Sequence, residues 1–534
     1  MAQKSAEELA KQAKAISVSE FFEKNRHLLG YDNKIKALLI IVKEAVDNAI
    51  DATEEARILP EVSVKVQQLG DEKSEKYKLV IKDNGPGIVK NQIPKIFGTL
   101  LYGSKFHRLR QSRGSQGLGI SCAVMYSQLT TGEAAEIVSS TGDGVTHRYK
   151  LKIDVKKNEP DIIEESEDRS KGKWHGLQIA FICEGQYREH KQGVLEYLKQ
   201  TAIANPFATI TAELPSGHYD FKRAVTELPR EPQAIQPHLY GVEVGVLARM
   251  LQDTRAQSLK GFLTSEFSRV GATSAEEICK LAKLDPATSP RRLEDKDVVK
   301  IVEAVKQVKL TRPPTDCLSP LGEGLIEKGL KKELKPEFAV AVTRPAEVYR
   351  GWPFQVEVGI AWGGEIAEPR FMRVANRVPL LYQAGDCAIT KAIADVDWKR
   401  YGIEMDKMPT GPVAIFVHVF SVWVPFTSES KEAVASYDVI SKEIKLGLQE
   451  AARKLSIYLS GIRRAQAQAQ RKSLFERYAG ETARAIADLT GEDEKRVLAV
   501  LKRLINEKWE ESIEQSPEPT EAEVAAEANG KEEE

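Results

Sequence analysis

The chain has 534 residues, with 77 Lys+Arg against 78 Asp+Glu and a formal net charge of −1; at ~150 residues per domain that is a length for three or four domains. No run of ~18 apolar residues predicts a membrane-spanning helix, and the opening MAQKSAEELAKQAKAISVSEFF lacks the apolar stretch and cleavage pattern of a secretory signal. Cys122, Cys183, Cys279, Cys317 and Cys387 lie far apart with no CxxC pair, which reads as reduced thiols of an intracellular protein and excludes a disulfide framework or a zinc site.

In chain order, a helix is predicted over 34–55, where Ile35, Leu38, Leu39, Val42, Val46, Ala49 and Ile50 recur at helical spacing. Strands follow at 62–68 and 78–82, and a Gly-rich stretch occupies 98–119. Further strands are expected at 135–139, 146–153 and 176–183, a helix at 190–203 and a strand at 207–213. Together these suggest a mostly antiparallel α/β sandwich up to about residue 228. LPREPQAIQP (228–237) carries three prolines and reads as a linker. From 242 to 309 the pattern is helical, broken at Gly271–Thr273 and Pro286–Pro290. TRPPTDCLSPLG (311–322) is a second Pro-rich connection. Alternating apolar runs return over 337–425, including FQVEVGIAW (354–362) and VAIFVHVF (413–420). A long helix is then predicted over 437–478, and another over 481–508. The end, 510–534, is acidic and poor in apolar bulk, the composition of a disordered tail.

Four motifs carry chemistry. In KEAVDNAIDA (43–52), Glu44, Asn48 and Asp51 are spaced by four and three, so they share one helix face opposite the apolar one. A carboxylate, an amide and a second carboxylate on one face can hold a metal ion and a water. In IKDNGPGI (81–88), Asp83 ends a strand and enters a tight turn. It is placed to accept the exocyclic amine of adenine, while Gly87 lets a flat ring approach the backbone. RGSQGLGIS (113–121) is a flexible loop that opens a helix, and the N–H groups and dipole there favour an anion. It is neither a Walker A loop nor a dinucleotide GxGxxG. In WVPFTSESKEAVA (423–435), Lys431 stands in a Ser/Thr-rich loop at a helix start. A cation is disfavoured there unless it reaches a phosphate in another domain.

The order and spacing of the first three boxes resemble the GHKL ATPase family, which includes type II topoisomerases, MutL, ninety-kilodalton heat-shock chaperones and histidine kinases. The resemblance implies ATP and Mg²⁺ as cofactors. It implies Glu44 as the general base on the attacking water and Asn48 as the Mg²⁺ ligand, through the ATP phosphates. Asp83 resembles the adenine reader, and Asp51 and Gly87 are counted among the cofactor-binding residues. Gly114, Ser115, Gln116, Gly117, Leu118, Gly119 and Ile120 resemble the phosphate-covering lid. Ser104 and Lys105 resemble further nucleotide contacts. Lys431 resembles the transducer lysine that contacts the γ-phosphate and acts in catalysis with Glu44. The family commonly has a Gly-Thr pair whose Thr backs the adenine-reading Asp; here Gly176 is followed by Leu177. A leucine side chain cannot donate that bond, which leaves it to a water, to another hydroxyl or to a different alignment of the strand.

Within the family, the layout resembles the ATPase subunits of type IIB topoisomerases. The phrases that carry it include EFFEKN (20–25), LLYGSKF, PPTDCLSPLG and NRVPLLYQAGD (376–386). This implies a multidomain α+β chain. A GHKL (Bergerat) α/β sandwich with its N-terminal strap spans 1–228, and a helix–two-turns–helix insertion spans 229–308. An α/β transducer with a long C-terminal helix spans 309–478, followed by a helical extension (479–509) and the acidic tail (510–534). The implied partners are double-stranded DNA, the DNA-cleaving A subunit of a topoisomerase VI in an A2B2 heterotetramer, and a second copy of the GHKL domain through ATP-dependent dimerisation. A MutL-like repair clamp and a heat-shock chaperone are the alternative readings. Basic clusters at 105–113, Arg291–Arg292 and 463–477 are candidate DNA contacts, though each also reads as a solvated face. The near-neutral total does not exclude DNA. Residues 510–534 hold ten Glu and one Lys, so 1–509 carry 76 basic and 68 acidic side chains.

Overall fold

The computed structural model describes residues 16–104, 108–114, 117–169 and 174–514, with 508–514 described as backbone alone. Two mixed sheets carry the architecture. The first has eight strands: β1 (Glu61–Leu69), β2 (Lys76–Asp83), β3 (Ala135–Thr141), β4 (Thr146–Asp154), β5 (Glu159–Asp168), β6 (His175–Glu184), β7 (Thr209–Leu214) and β8 (Gly217–Phe221). Their order is β5-β4-β3-β6-β2-β1-β7-β8, antiparallel except for the β1–β7 pair. Period-2 burial in β1 and β2 turns Val62, Val64, Val66, Leu79 and Ile81 to one face. The helices Lys34–Glu55, Gly119–Thr131 and Val194–Ala204 contribute to the same core.

We number the helices in chain order: α1 (Val18–Lys24), α2 (Lys34–Glu55), α3 (Ile93–Gly98), α4 (Gly119–Thr131) and α5 (Val194–Ala204). Asn33 caps α2, its side chain accepting the Lys36 N–H at 2.8 Å. Strand β5 was not expected. Its ten residues, EPDIIEESED, are exposed almost throughout, so an edge strand wet on both faces shows no apolar alternation.

The helical segment folds as α6 (Val244–Asp253), α7 (Leu259–Glu266), α8 (Ala272–Ala282) and α9 (Asp295–Gln307) around its own core of Leu247, Phe262, Ile278 and Ile301. An additional break falls at 254–258, where Ser258 caps α7. Helix α10 (Glu323–Leu334), also unanticipated, carries Ile326, Leu330 and Leu334 into the first core. At Gly329 it packs so closely on α5 that a Cβ would stand 2.7 Å from the Ile203 carbonyl oxygen.

The second sheet comprises β9 (Phe338–Thr343), β10 (Glu347–Tyr349), β11 (Trp352–Trp362), β12 (Arg370–Ala375), β13 (Val378–Pro379) and β14 (Val413–Ser421), ordered β10-β11-β14-β12-β13 with β9 on β11. Every residue of β14 is buried. Ala414 and Phe416 face the first core through α10, while Val413, Ile415, Val417 and Val419 face a second core with α11 (Ala388–Ala394) and α12 (Asp438–Thr490). A strand covered on both faces reads as a continuous apolar run.

Helix α12 corrects the expected ending at 478. It runs unbroken for 53 residues, about 80 Å at 1.5 Å per residue, and stops only at Gly491 in the left-handed conformation (φ +75°). Buried Ala479 and Ala483, where α13 (Glu494–Glu514) folds back along it, stabilise the turn around Gly480. Helix α13 also reaches five residues into the segment expected to be tail; 515–534 lie outside the described residues. All five cysteines are free and buried.

A nucleotide-binding cleft as candidate active site

A cavity of about 660 Å³ opens between the first sheet's helical layer and the loop after β14, within the ~300–1,000 Å³ usual for small-molecule sites. Glu44 and Asn48 enter it from α2, and Asp83 and Gly87 from the end of β2. Ser104, Gly114, Gly117, Leu118, Gly119 and Ile120 come from the Gly-rich segment, and Lys431 from the second sheet's side. Lys105, Ser115 and Gln116 fall outside the described residues.

On α2, Lys43 lies beside the cavity, with Nζ 3.3 Å from Glu44 Oε1 and 3.4 Å from Asp47 Oδ2. Burial opposes the lysine's charge, but the two carboxylates outweigh it and its pKa is raised. Asp47 also accepts the Tyr197 hydroxyl at 2.9 Å; burial nevertheless pushes its carboxyl above the ordinary value. Helix α4 begins directly on Glu44: a Cβ at Gly119 would stand 1.8 Å from Glu44 Oε2. A side chain at residue 119 would push the Glu44 carboxylate away from this helix start. Among the described residues no side chain caps this helix start, which leaves its N–H groups for an anionic ligand.

Asp83 answers the question left by Leu177. Its Oδ1 accepts two backbone N–H groups, from Gly85 at 2.8 Å and from Leu177 at 3.1 Å. The main chain of Leu177 thus supplies Asp83 with a hydrogen bond that its side chain cannot. Burial raises the Asp83 pKa, while these two N–H groups work against the rise. Gly176 makes the approach possible: at φ +137° its Cβ would lie 2.2 Å from the Asp83 carbonyl oxygen. Gly176→Ala is therefore expected to cost about 1–3 kcal/mol of stability through overpacking. Displacing Leu177 from Asp83 adds to that loss, which thermal unfolding reads. Gly87 needs its φ of +72° for a different reason than ring access alone. A Cβ there would meet the Ser140 carbonyl oxygen of β3 at 2.1 Å.

Asp51 is the one described residue of the expected set that does not line the cavity. It is buried behind it, accepting Arg113 Nη1 at 2.7 Å and the Gly114 N–H at 3.4 Å. It thus ties α2 to the start of the Gly-rich segment at Arg113 and Gly114.

Sequence reasoning missed the network around it. Glu54, three residues beyond Asp51, accepts Arg113 (2.7 and 3.2 Å) and Arg377 (3.2 Å). Arg377 also donates to the Ser319 carbonyl at 2.8 Å, and Gln111 exchanges hydrogen bonds with the backbone of Ser319. The Arg377 N–H donates to His418 Nε2 at 3.0 Å, and His418 Nδ1 lies 2.8 Å from Glu357. A buried polar path therefore runs from the lid root through α2 into the second sheet. The i, i+3 spacing of Asp51 and Glu54 was the available signal; their arginine partners carried none.

Lys431 sits at φ +54° in a loop closed by the Phe426–Val434 bridge and by the Thr427 N–H donating to the Ala433 carbonyl at 3.0 Å. Burial lowers its pKa, and Glu44 across the cavity works against that.

A sheet backed by helices, with an acidic helix, an Asp-Gly turn and a Gly-rich helix start converging on one cleft, defines the class of GHKL ATPases. The family model for histidine kinase-, DNA gyrase B- and HSP90-like ATPases matches residues 33–156, and the model "Topoisomerase VI B subunit, transducer" matches 313–472. The chain is 48% identical over 454 residues to the B subunit of type 2 DNA topoisomerase 6 from Archaeoglobus fulgidus, covering 83% of this chain and 74% of that one. It is 41% identical over 568 residues to the same-named protein of Pyrococcus horikoshii, covering 97% and 100%. The chain belongs to the family of topoisomerase VI B subunits.

Proposed function

We propose that this chain is the ATP-hydrolysing subunit of a type IIB DNA topoisomerase. It would work with the DNA-cleaving subunit in an A2B2 assembly that passes one DNA duplex through a break made in another. The observation that carries the reading is the meeting of Glu44 and Asn48 from the ATPase layer with Lys431 from the second sheet on a single cavity. Asp83 reads adenine, with its Oδ1 held by two N–H groups. Glu44 orients and deprotonates the attacking water. Lys431 meets the γ-phosphate, so that the transducer distinguishes ATP from ADP. The Asn48 amide oxygen beside one carboxylate is a sparse oxygen donor set of the kind that suits Mg²⁺; Asn48 would hold the ion, which would supply charge neutralisation for the phosphates.

We assign 1–228 to the strap and ATPase domain, 229–308 to the helix–two-turns–helix insertion and 309–478 to the transducer, with α12 and α13 continuing beyond it. ATP orders the lid and draws two ATPase domains together, with exposed Phe21 packing across the dimer. Helix α12 carries the motion to the DNA-cleaving subunit, and only the γ-phosphate contact differs before and after hydrolysis. DNA lies along basic surface. Arg291 and Arg463 already donate to the Thr254 and Gly402 carbonyls, which favours the largely exposed basic stretch further along α12 for phosphate contact.

The test is co-expression with the DNA-cleaving subunit. Decatenation is expected only with both proteins and ATP, and Lys431→Ala should keep ADP binding, bind ATP more weakly and lose most ATP-dependent strand passage. Wild-type decatenation by that variant would remove the switch from Lys431.

A further inference from the structure

The lysine loop touches the ATPase layer at a buried charge pair that the proposed chemistry does not use. Lys36, in the first turn of α2, places Nζ 2.7 Å from Glu432 Oε1, with the two side chains only 10% and 9% exposed. Glu432 directly follows Lys431. Its second oxygen, Oε2, is buried with no hydrogen-bond partner among the described residues, so the Lys36 contact provides the main compensation for this carboxylate.

Arg373 holds the same residue from the transducer side. Its Nη1 donates to the Glu432 carbonyl at 3.4 Å and its Nη2 to the Tyr382 carbonyl at 2.8 Å. Lys36 Nζ also lies 5.0 Å from the Tyr382 ring centroid and 3.4 Å from half-exposed Asp32. Lys431 itself occupies a positive φ, which a non-glycine residue keeps only when its surroundings hold it.

We propose that Lys36 is a positioning residue for the γ-phosphate sensor: its pair with Glu432 pins the Lys431–Glu432 turn to the ATPase layer, and so sets where the Lys431 ammonium reaches. This rests on the reading of Lys431 as the γ-phosphate contact. The physical reason is the cost of an uncompensated buried carboxylate. Without Lys36, Glu432 lowers its free energy by moving toward water. The loop tip, Thr427 to Glu429, is already exposed, so the turn swings outward and takes Lys431 with it. Lys36 does not line the cavity, so its loss leaves the adenine contacts alone.

The experiment titrates the full chain with ADP and with a non-hydrolysable ATP analogue. Lys36→Met is expected to lower the preference for the analogue over ADP by roughly tenfold, toward the ratio of Lys431→Ala. ADP affinity should stay at the wild-type value, and Lys36→Arg should restore the preference. Should Lys36→Met not fold, Glu432→Gln cuts the same pair and is read in the same way. If Lys431→Ala loses the preference while the pair variants keep it, the latch is overturned and the sensor stands. If Lys431→Ala keeps the preference, the sensor reading falls and the latch falls with it.

Discussion

Replacing Glu44 by alanine is expected to leave ATP bound but stop its turnover, lowering kcat by roughly 10²–10⁴-fold, the usual worth of a positioned general base. In the proposed reading, binding rests on other groups: Asp83 with its two N–H supports, the uncapped start of α4 and Lys431. Glu44 lines the cavity with its carboxylate against the first turn of α4, where a Cβ at residue 119 would stand 1.8 Å from Oε2. Lys43 Nζ, 3.3 Å from Oε1, holds the carboxylate in place. Phosphate release measured beside nucleotide titration separates turnover from binding, with Glu44→Gln as the shape-preserving control. A variant that binds ATP and hydrolyses it at the wild-type rate would take the base role from Glu44.

Glu54→Ala is the second large effect, and it acts on stability. The Glu54 carboxylate bridges Arg113 and Arg377, whose side chains are 3% and 4% exposed. Arginine does not escape by losing its proton, so removing Glu54 takes a shared counter-charge from two buried guanidinium groups at once. Breaking a buried pair in this way costs on the order of 3–5 kcal/mol. A lowered denaturation midpoint is expected for Glu54→Ala, with a smaller loss for Glu54→Gln, which keeps an acceptor oxygen. Because the same carboxylate ties the lid root to the second sheet, the Gln variant should also raise the KM for ATP. An unchanged midpoint in the Ala variant would mean that the network carries little of the fold's stability.

Local chemistry was readable wherever a residue's role depends on its neighbours in sequence. The apolar spacing of α2 gave its span to the residue, and DNGPG marked the turn after β2. RGSQGLGIS marked a helix start whose glycines admit a close backbone. Edge strand β5 and bridging helix α10 were not readable. The first is wet on both faces, and the second draws its apolar face from a contact with α5 made only in the folded chain. Helix α12 outran its expected end because its last turns are stabilised by α13 and not by local propensity.

The site divides along the same line. Sequence alone determined the presence of Glu44, Asn48, Asp83 and the lid glycines, since each belongs to a short segment whose spacing fixes which way it faces. Tertiary structure decided that Lys431 shares their cavity, that Asp51 turns from the cavity to Arg113, and that the Leu177 backbone donates to Asp83. A main-chain N–H carries no signature in the amino-acid code. A charge pair between α2 and a loop nearly four hundred residues later exists only because α10 and the buried faces of the second sheet share one core with the first.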